Sequence, residues 1–203
     1  NDVKAAALGA ASLRGAAQSM GYLNLGTGIA AAIVTDGALW RGARGGAGEI
    51  GHLSIDPAGP VCRCGQRGCI EALAGGGAVS ARWGKPGALP IRDVFDAADA
   101  GDPVAVRLRT DLARGVAAAI RVLVLTADVD TVVLGGGITT LGTRLQGEVA
   151  AHLDASARES AFLRSLQLVA RVEILPVGAP AAALGAALIG AEAAGEREVV
   201  SRG

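Results

Sequence analysis

Gly48-Glu49-Ile50-Gly51-His52-Leu53-Ser54-Ile55-Asp56-Pro57-Ala58-Gly59-Pro60-Val61-Cys62-Arg63-Cys64-Gly65-Gln66-Arg67-Gly68-Cys69-Ile70-Glu71 gathers all three cysteines of the chain and one of its two histidines. Three sulfurs and one imidazole make a full tetrahedral set for Zn2+, which is closed at four ligands in structural sites. Glycines 59, 65 and 68 and Pro60 let the backbone turn tightly enough to bring His52, Cys62, Cys64 and Cys69 together. A disulfide framework calls for an even number of cysteines in a short secreted chain, and three is odd. Three inert buried thiols are the competing reading, but cysteines placed for packing have no reason to crowd into one loop beside a histidine. The spacing is Cys-x-Cys, which sets the loop apart from Cys-x2-Cys zinc fingers. A metal with no open position folds the loop and does no chemistry itself. Two carboxylates, Glu49 and Glu71, bracket the cluster.

Outward from this loop, the chain reads as one α/β unit. Of its 203 residues, 51% are hydrophobic, enough for a sizeable core and too many for disorder. Nineteen basic and nineteen acidic residues balance, with no Lys/Arg block, so no nucleic acid is expected to bind through this segment. No apolar run approaches the roughly 20 residues that span a bilayer, and no signal peptide opens the chain, so a cytoplasmic location is expected. The chain starts at Asn1 without methionine, and we expect it to be a fragment lacking a preceding lobe.

Asp2 to Arg14 has apolar residues at helical spacing. Tyr22–Leu25, Ile29–Thr35 and Leu39–Trp40 read as antiparallel strands, with Asp36-Gly37 as a hairpin turn. Gly26-Thr27-Gly28 reads by itself as a turn whose glycines take positive φ. A helix is expected from Glu71 to Ser80, weakened by Gly75-Gly76-Gly77, and another over Ile91–Ala100. Asp102-Pro103 starts a long helix to about Thr126, with Val104, Leu108, Leu112, Val116, Ala119, Ile120 and Leu123 on one face. Thr131–Leu134 is a β-branched strand running into Gly135-Gly136-Gly137 and then a helix over about Leu141–Asp154, a layout that brings helix N-terminal amides near a nucleotide. His152 reads as a solvated last-turn residue, and Arg63 and Arg67 as solvated loop charges. Leu168–Leu175 is a strand, Pro180–Ala194 a closing helix, and the tail beyond it should fray.

Gly-Glu-Ile-Gly-His followed by Cys-x-Cys-Gly-x-x-Gly-Cys-x-Glu closely resembles the signature of the ROK family of repressors, open reading frames and sugar kinases. Asn1-Asp2, Leu25-Gly26-Thr27-Gly28 and Leu134-Gly135-Gly136-Gly137-Ile138 extend the resemblance over nearly the whole chain. It implies a ribonuclease-H-like, actin-type ATPase lobe with a mixed sheet in β-β-β-α-β-α-β-α order over 21–195. Residues 1–20 would end a first, sugar-binding lobe, residues 49–71 would form the zinc loop, and 196–203 a frayed tail. It further implies a hexose kinase of the glucokinase or N-acylhexosamine kinase type, with ATP and Mg2+ as co-substrate. Asp2 would be the base, and Asn1, Glu49, His52 and Glu71 would bind the sugar. Gly26, Thr27 and Gly28 would lie at the phosphates, and Gly135, Gly136 and Gly137 at adenosine. Lys4 stands where the family usually has a second asparagine. The family's Asp-x-Gly-Gly-Thr phosphate motif is not among these residues, so alone they are not expected to be active. Repressors of the family share the zinc loop and sugar site behind an upstream helix-turn-helix, which makes a sugar-sensing domain the alternative function. A degraded member whose loop only scaffolds a dimer is the third; retention of Asp2, Glu49, His52 and Glu71 together argues against it. A homodimer is expected from the resemblance alone.

Overall fold

The structure is a computed structural model that describes residues 2–15 and 19–201. A five-stranded mixed sheet of order β3-β2-β1-β4-β5 forms its centre: β1 Met20–Leu25, β2 Ile29–Thr35, β3 Ala38–Leu39, β4 Thr131–Gly135 and β5 Val172–Ile174. β1 pairs antiparallel with β2 and parallel with β4, and β4 pairs parallel with β5. Asp36 and Gly37 both take positive φ (52° and 75°), the backbone that suits a tight turn between right-twisted strands, as their sequence predicts.

The described residues form eight α-helices: α1 Asp2–Arg14, α2 Ile70–Ala74, α3 Gly76–Trp83, α4 Pro90–Asp99, α5 Pro103–Ala127, α6 Thr143–Glu159, α7 Ala161–Ser165 and α8 Ala181–Ser201. α5 starts as the sequence requires. The Asp102 carboxylate accepts hydrogen bonds from the Val104 and Ala105 amides at 2.9 and 3.1 Å, with Pro103 in the first turn. Six of its seven expected core residues are buried; Val104, at the first turn, is 40% exposed.

Strand alternation divides the core between the two faces. Leu23, Leu25, Ile33, Val132 and Leu134 pack with Leu112, Val116 and Ile120 of α5. On the opposite face Met20, Tyr22, Ala32, Val34 and Val133 pack with Val3, Ala7 and Ala10 of α1 and Ala181 of α8. α1 thus packs on this same sheet.

Three local expectations fail for identifiable reasons. The helix expected over 71–80 is two helices, because Gly75 takes an extended ψ of 133° between them. Leu168–Arg171 is a 3-10 turn rather than strand, entered through Gln167 in the left-handed region, so only Val172–Ile174 reaches the sheet. α8 runs to Ser201, since one glycine at 195 is too weak a stop among helix-forming neighbours.

The abundance of small residues has its clearest use where α1 meets α8. A Cβ on Gly185 would stand 1.6 Å from the Ala5 carbonyl oxygen, and one on Gly9 1.8 Å from that of Ala181. Gly147 in α6 has open space. Gly147→Ala should therefore gain about 0.5–1 kcal/mol, whereas Gly185→Ala should lose about 1–3 kcal/mol. Each kcal/mol moves the thermal midpoint by roughly 2–4 °C; melting curves shifted in the same direction would refute the close contact.

Candidate functional site

β3 is short and covers only Val34 and Thr35, leaving the first half of β2 with an open edge. Residues 48–51 fill it, with the Ala31 amide donating to the Gly48 carbonyl at 2.8 Å. A Cβ at Gly48 would lie 1.9 Å from the Ala31 oxygen, and one at Gly51 2.1 Å from the Ile29 oxygen. Gly48 also has φ +104°. Only glycine permits this approach, and it fixes where Glu49 and His52 stand. Glu49 is exposed and His52 half-buried.

Beyond His52 the chain folds back on itself. The Ile55 amide donates to the Gly68 carbonyl at 2.9 Å, Ile70 to Leu53 at 3.0 Å and Cys62 to Gln66 at 2.7 Å. Gly65 and Gly68 take positive φ, as the turn requires. The ligand atoms of His52, Cys62, Cys64 and Cys69 all come within 4.8 Å of one another. Cys62 Sγ lies 3.8 Å from His52 Nδ1, and Cys64 Sγ 3.7 Å from Cys69 Sγ. A zinc tetrahedron with Zn–S of about 2.3 Å has edges of about 3.8 Å. The sulfurs are free thiols, with no disulfide. Hydrogen bonds from the Gln66 backbone and side chain hold the Cys64 thiol down to about 6, whereas burial pushes Cys69 up to about 12.

Glu71 opens α2 with its carboxylate turned inward. Its Oε2 accepts the Ile29 amide at 3.0 Å, and its Oε1 faces the Arg63 guanidinium at 3.3 Å. A Cβ on Gly28 would strike Oε2 at 2.5 Å. Neither Gly26 nor Gly28 takes positive φ, contrary to expectation; at Gly28, glycine makes room for Glu71. The Gly75-Gly76-Gly77 run also acquires a purpose. The Gly76 amide donates to the Gly26 carbonyl and the Gly77 amide to that of Thr27, both at 2.9 Å. Cβ atoms on the three glycines would press to 2.7, 2.9 and 3.1 Å of α2 or of this turn. Thr27, Cys62, Arg63, Glu71 and Gly77 border a cavity of about 310 Å³.

A second cleft, of about 320 Å³, opens at the carboxyl ends of β1, β4 and β5. Chain direction splits there, β1 continuing to β2 on one side while β4 lies on the other; open α/β sheets hold ligands in such crevices. Asp2, Tyr22, Asn24, Gly135, Gly136 and Thr139 line it. Gly135 leaves room for Tyr22, whose hydroxyl would be 2.0 Å from a Cβ there, and Gly136 takes φ +94° against the Leu25 carbonyl. Burial, then the nearby Asp2 carboxylate, raises the Tyr22 phenol above its usual range. Asp2 stands in the first turn of α1, its Oδ1 accepting the Val3 amide at 2.9 Å. Lys4 reaches the Gly45 carbonyl, tying α1 to the loop before Glu49.

The helix-start expectation after β4 needs correction. A 3-10 turn, Gly137–Leu141, follows the glycines, and Gly142 at φ +57° separates it from α6. Amides of this turn, rather than of α6, adjoin Gly136: the Thr139 amide and hydroxyl donate to its carbonyl at 3.1 and 2.7 Å. His152 lies mid-helix in α6, half-buried beside a groove of about 440 Å³. Asn1 lies outside the described residues. Sequence reasoning passed over Tyr22 and Asn24, although their spacing of two puts both on one face of a strand whose last residues are otherwise apolar.

The ROK family profile matches residues 1–192. The chain belongs to the ROK family. It is 41% identical over 140 residues to an N-acetylmannosamine kinase of Citrobacter koseri, covering 68% of this chain and 48% of the relative. It is 33% identical to a glucokinase of Halalkalibacterium halodurans, covering 77% and 53%. Among solved structures it is similar to a ROK hexokinase from Thermus thermophilus (TM-score 0.77, 38% identity, 93% of this chain and 62% of that one). A ROK glucokinase from Streptomyces griseus in complex with glucose and AMPPNP gives 0.71 at 28%, over 93% and 66%. A ROK transcriptional regulator, a homolog of the E. coli MLC protein, gives 0.65 at 28%, over 91% and 50%. This ROK chain therefore spans about half to two thirds of these relatives. Among its described residues no helix is long and apolar enough to cross a membrane.

In metal-free protein, iodoacetamide should label exposed Cys64 well before buried Cys62 and Cys69. Since Cys64 titrates near 6, its labelling should already approach its plateau at neutral pH. Peptide mapping would reveal the order, and equal labelling of all three would contradict the loop geometry.

Proposed function

We propose that this chain is part of a ROK sugar kinase that transfers the terminal phosphoryl group of ATP-Mg2+ to a hexose such as glucose or an N-acylhexosamine. The observation that carries this reading is the shared cleft at the sheet's switch point, where Asp2, Gly135 and Gly136 meet. Asp2 is the base: it accepts the proton of the sugar hydroxyl as that oxygen attacks phosphorus. Glu49 and Glu71 accept hydrogen bonds from other hydroxyls, and His52 donates one, so that the wrong epimer leaves buried polar groups unpaired. Asn1 belongs to the same sugar contact. Gly26, Thr27 and Gly28 approach the phosphates, and Gly135, Gly136 and Gly137 the adenosine.

His52 Nδ1 and the thiolates of Cys62, Cys64 and Cys69 are the donors that would hold a structural zinc. Bound there, the ion supplies a rigid cross-link and fixes the His52 tautomer, leaving Nε2 as the N–H donor. The actin-type lobe over 21–195, a first lobe ending within 1–20, a homodimer and a cytoplasmic location complete the proposal by family resemblance.

Likeness to the transcriptional regulator favours a second reading, a sugar-sensing domain that binds without phosphorylating. A coupled ADP-release assay on the full-length gene product with a hexose panel separates the two. Turnover with one sugar, lowered about 10²–10⁴-fold by Asp2→Asn, supports the kinase. No turnover, with sugar-dependent thermal stabilisation that needs Glu49 and Glu71, supports the sensor. Metal analysis should find one zinc per chain, and a strong chelator should lower the thermal midpoint; a midpoint indifferent to chelation would remove zinc from the proposal.

A further inference from the structure

We infer that Asn24 is a further catalytic residue, whose carboxamide donates a hydrogen bond to the phosphoryl group in transit; this inference rests on the kinase reading. Asn24 stands at the carboxyl end of β1, paired in register with Gly135 at the end of β4. It is thus at the point where the chain direction splits, the usual seat of a ligand in such sheets. Strand alternation turns it to the same face as Tyr22, and both line the cleft that contains Asp2. On its other side Asn24 meets the Gly26-Thr27-Gly28 turn: a Cβ on Gly26 would lie 3.2 Å from its Nδ2. The carboxamide therefore lies between the Asp2 cleft and the first glycine of the phosphate turn.

Two features of Asn24 have no structural explanation. Asparagine is a poor strand former, yet it interrupts Tyr22-Leu23-Asn24-Leu25, where both leucines are fully buried. Its half-buried side chain makes no hydrogen bond to any described residue, although it offers two donors and an acceptor. A polar group kept unpaired at the mouth of a cleft is available to a ligand.

In the transfer, the sugar oxygen forms its bond to phosphorus and its proton passes to Asp2. The bond from phosphorus to the bridging oxygen breaks, and ADP leaves with the electron pair. Negative charge is spread over the three non-bridging oxygens midway between nucleophile and leaving group. Asn24 occupies the corresponding place between base and phosphate turn, where a neutral donor stabilises that charge without binding either reactant more tightly.

The test uses the full-length protein. Asn24→Ala should lower kcat roughly 10²-fold or more, with KM for ATP and hexose and the melting temperature little changed. Asn24→Asp, equal in size but negative, should lose more than Asn24→Ala. Where Asn24→Ala fails to fold, the isosteric pair Asn24→Thr and Asn24→Val decides, because both are strong strand formers and only threonine keeps a donor; Thr should exceed Val in kcat by roughly tenfold or more. Equal kcat in the Thr and Val variants, or an effect confined to KM, overturns the inference while the kinase stands. Absence of turnover in the wild type overturns both.

Discussion

The backbone of residues 48–51 lies against the open edge of β2 at a distance that admits no side chain, and the rest of the site depends on that contact. Gly48 and Gly51 touch the Ala31 and Ile29 carbonyls. One residue beyond each glycine stands a functional candidate, Glu49 and His52, so both inherit their positions from the sheet rather than from a flexible loop. The same short stretch of β2 reaches Glu71 through the Ile29 amide. Three polar side chains proposed to read one sugar are thereby referenced to a single strand. A rigid strand holds such groups more exactly than a loop can, and selectivity among epimers requires it.

Glycine recurs for a similar reason elsewhere, though not for its freedom at positive φ. Gly28 makes room for Glu71, Gly135 for Tyr22, and Gly75–Gly77 for the turn that carries Thr27. In each case two pieces of chain approach until only hydrogen fits between them. Such contacts draw the Gly26–Gly28 turn, α3 and the cysteine loop into one block, and the α1–α8 contact does the same on the opposite face. A chain poor in aromatic residues cannot fill wide gaps, so it closes them.

A metal held by His52, Cys62, Cys64 and Cys69, as proposed, would act as a second tether. The loop after His52 contributes only Cys62 and Cys69 to a small buried cluster with Ala72 of α2. Its backbone hydrogen bonds fold it roughly, while four donor atoms within 4.8 Å of one another would let a metal lock it. Arg63, between two of those donors, faces Glu71, yet it is 81% exposed, and a pair so open to water adds little stability.

By itself the sequence determined what short-range chemistry controls. The Asp36-Gly37 hairpin, the capped start of α5 at Asp102-Pro103, strand β2 to the residue and the Cys/His cluster are all written in adjacent residue types. Spacing along the chain suffices there, because each depends on local backbone geometry or on ligands close in sequence. Tertiary structure alone decided the rest. Asn24 meets Gly135 through strand register, Gly76 docks beneath Gly26, and Gly185 faces Ala5. It also made a 3-10 turn of Leu168–Arg171, whose apolar run reads as strand. Those outcomes turn on which distant backbones come into contact, and a one-dimensional pattern carries only the preferences of each segment, not the partner against which it is pressed.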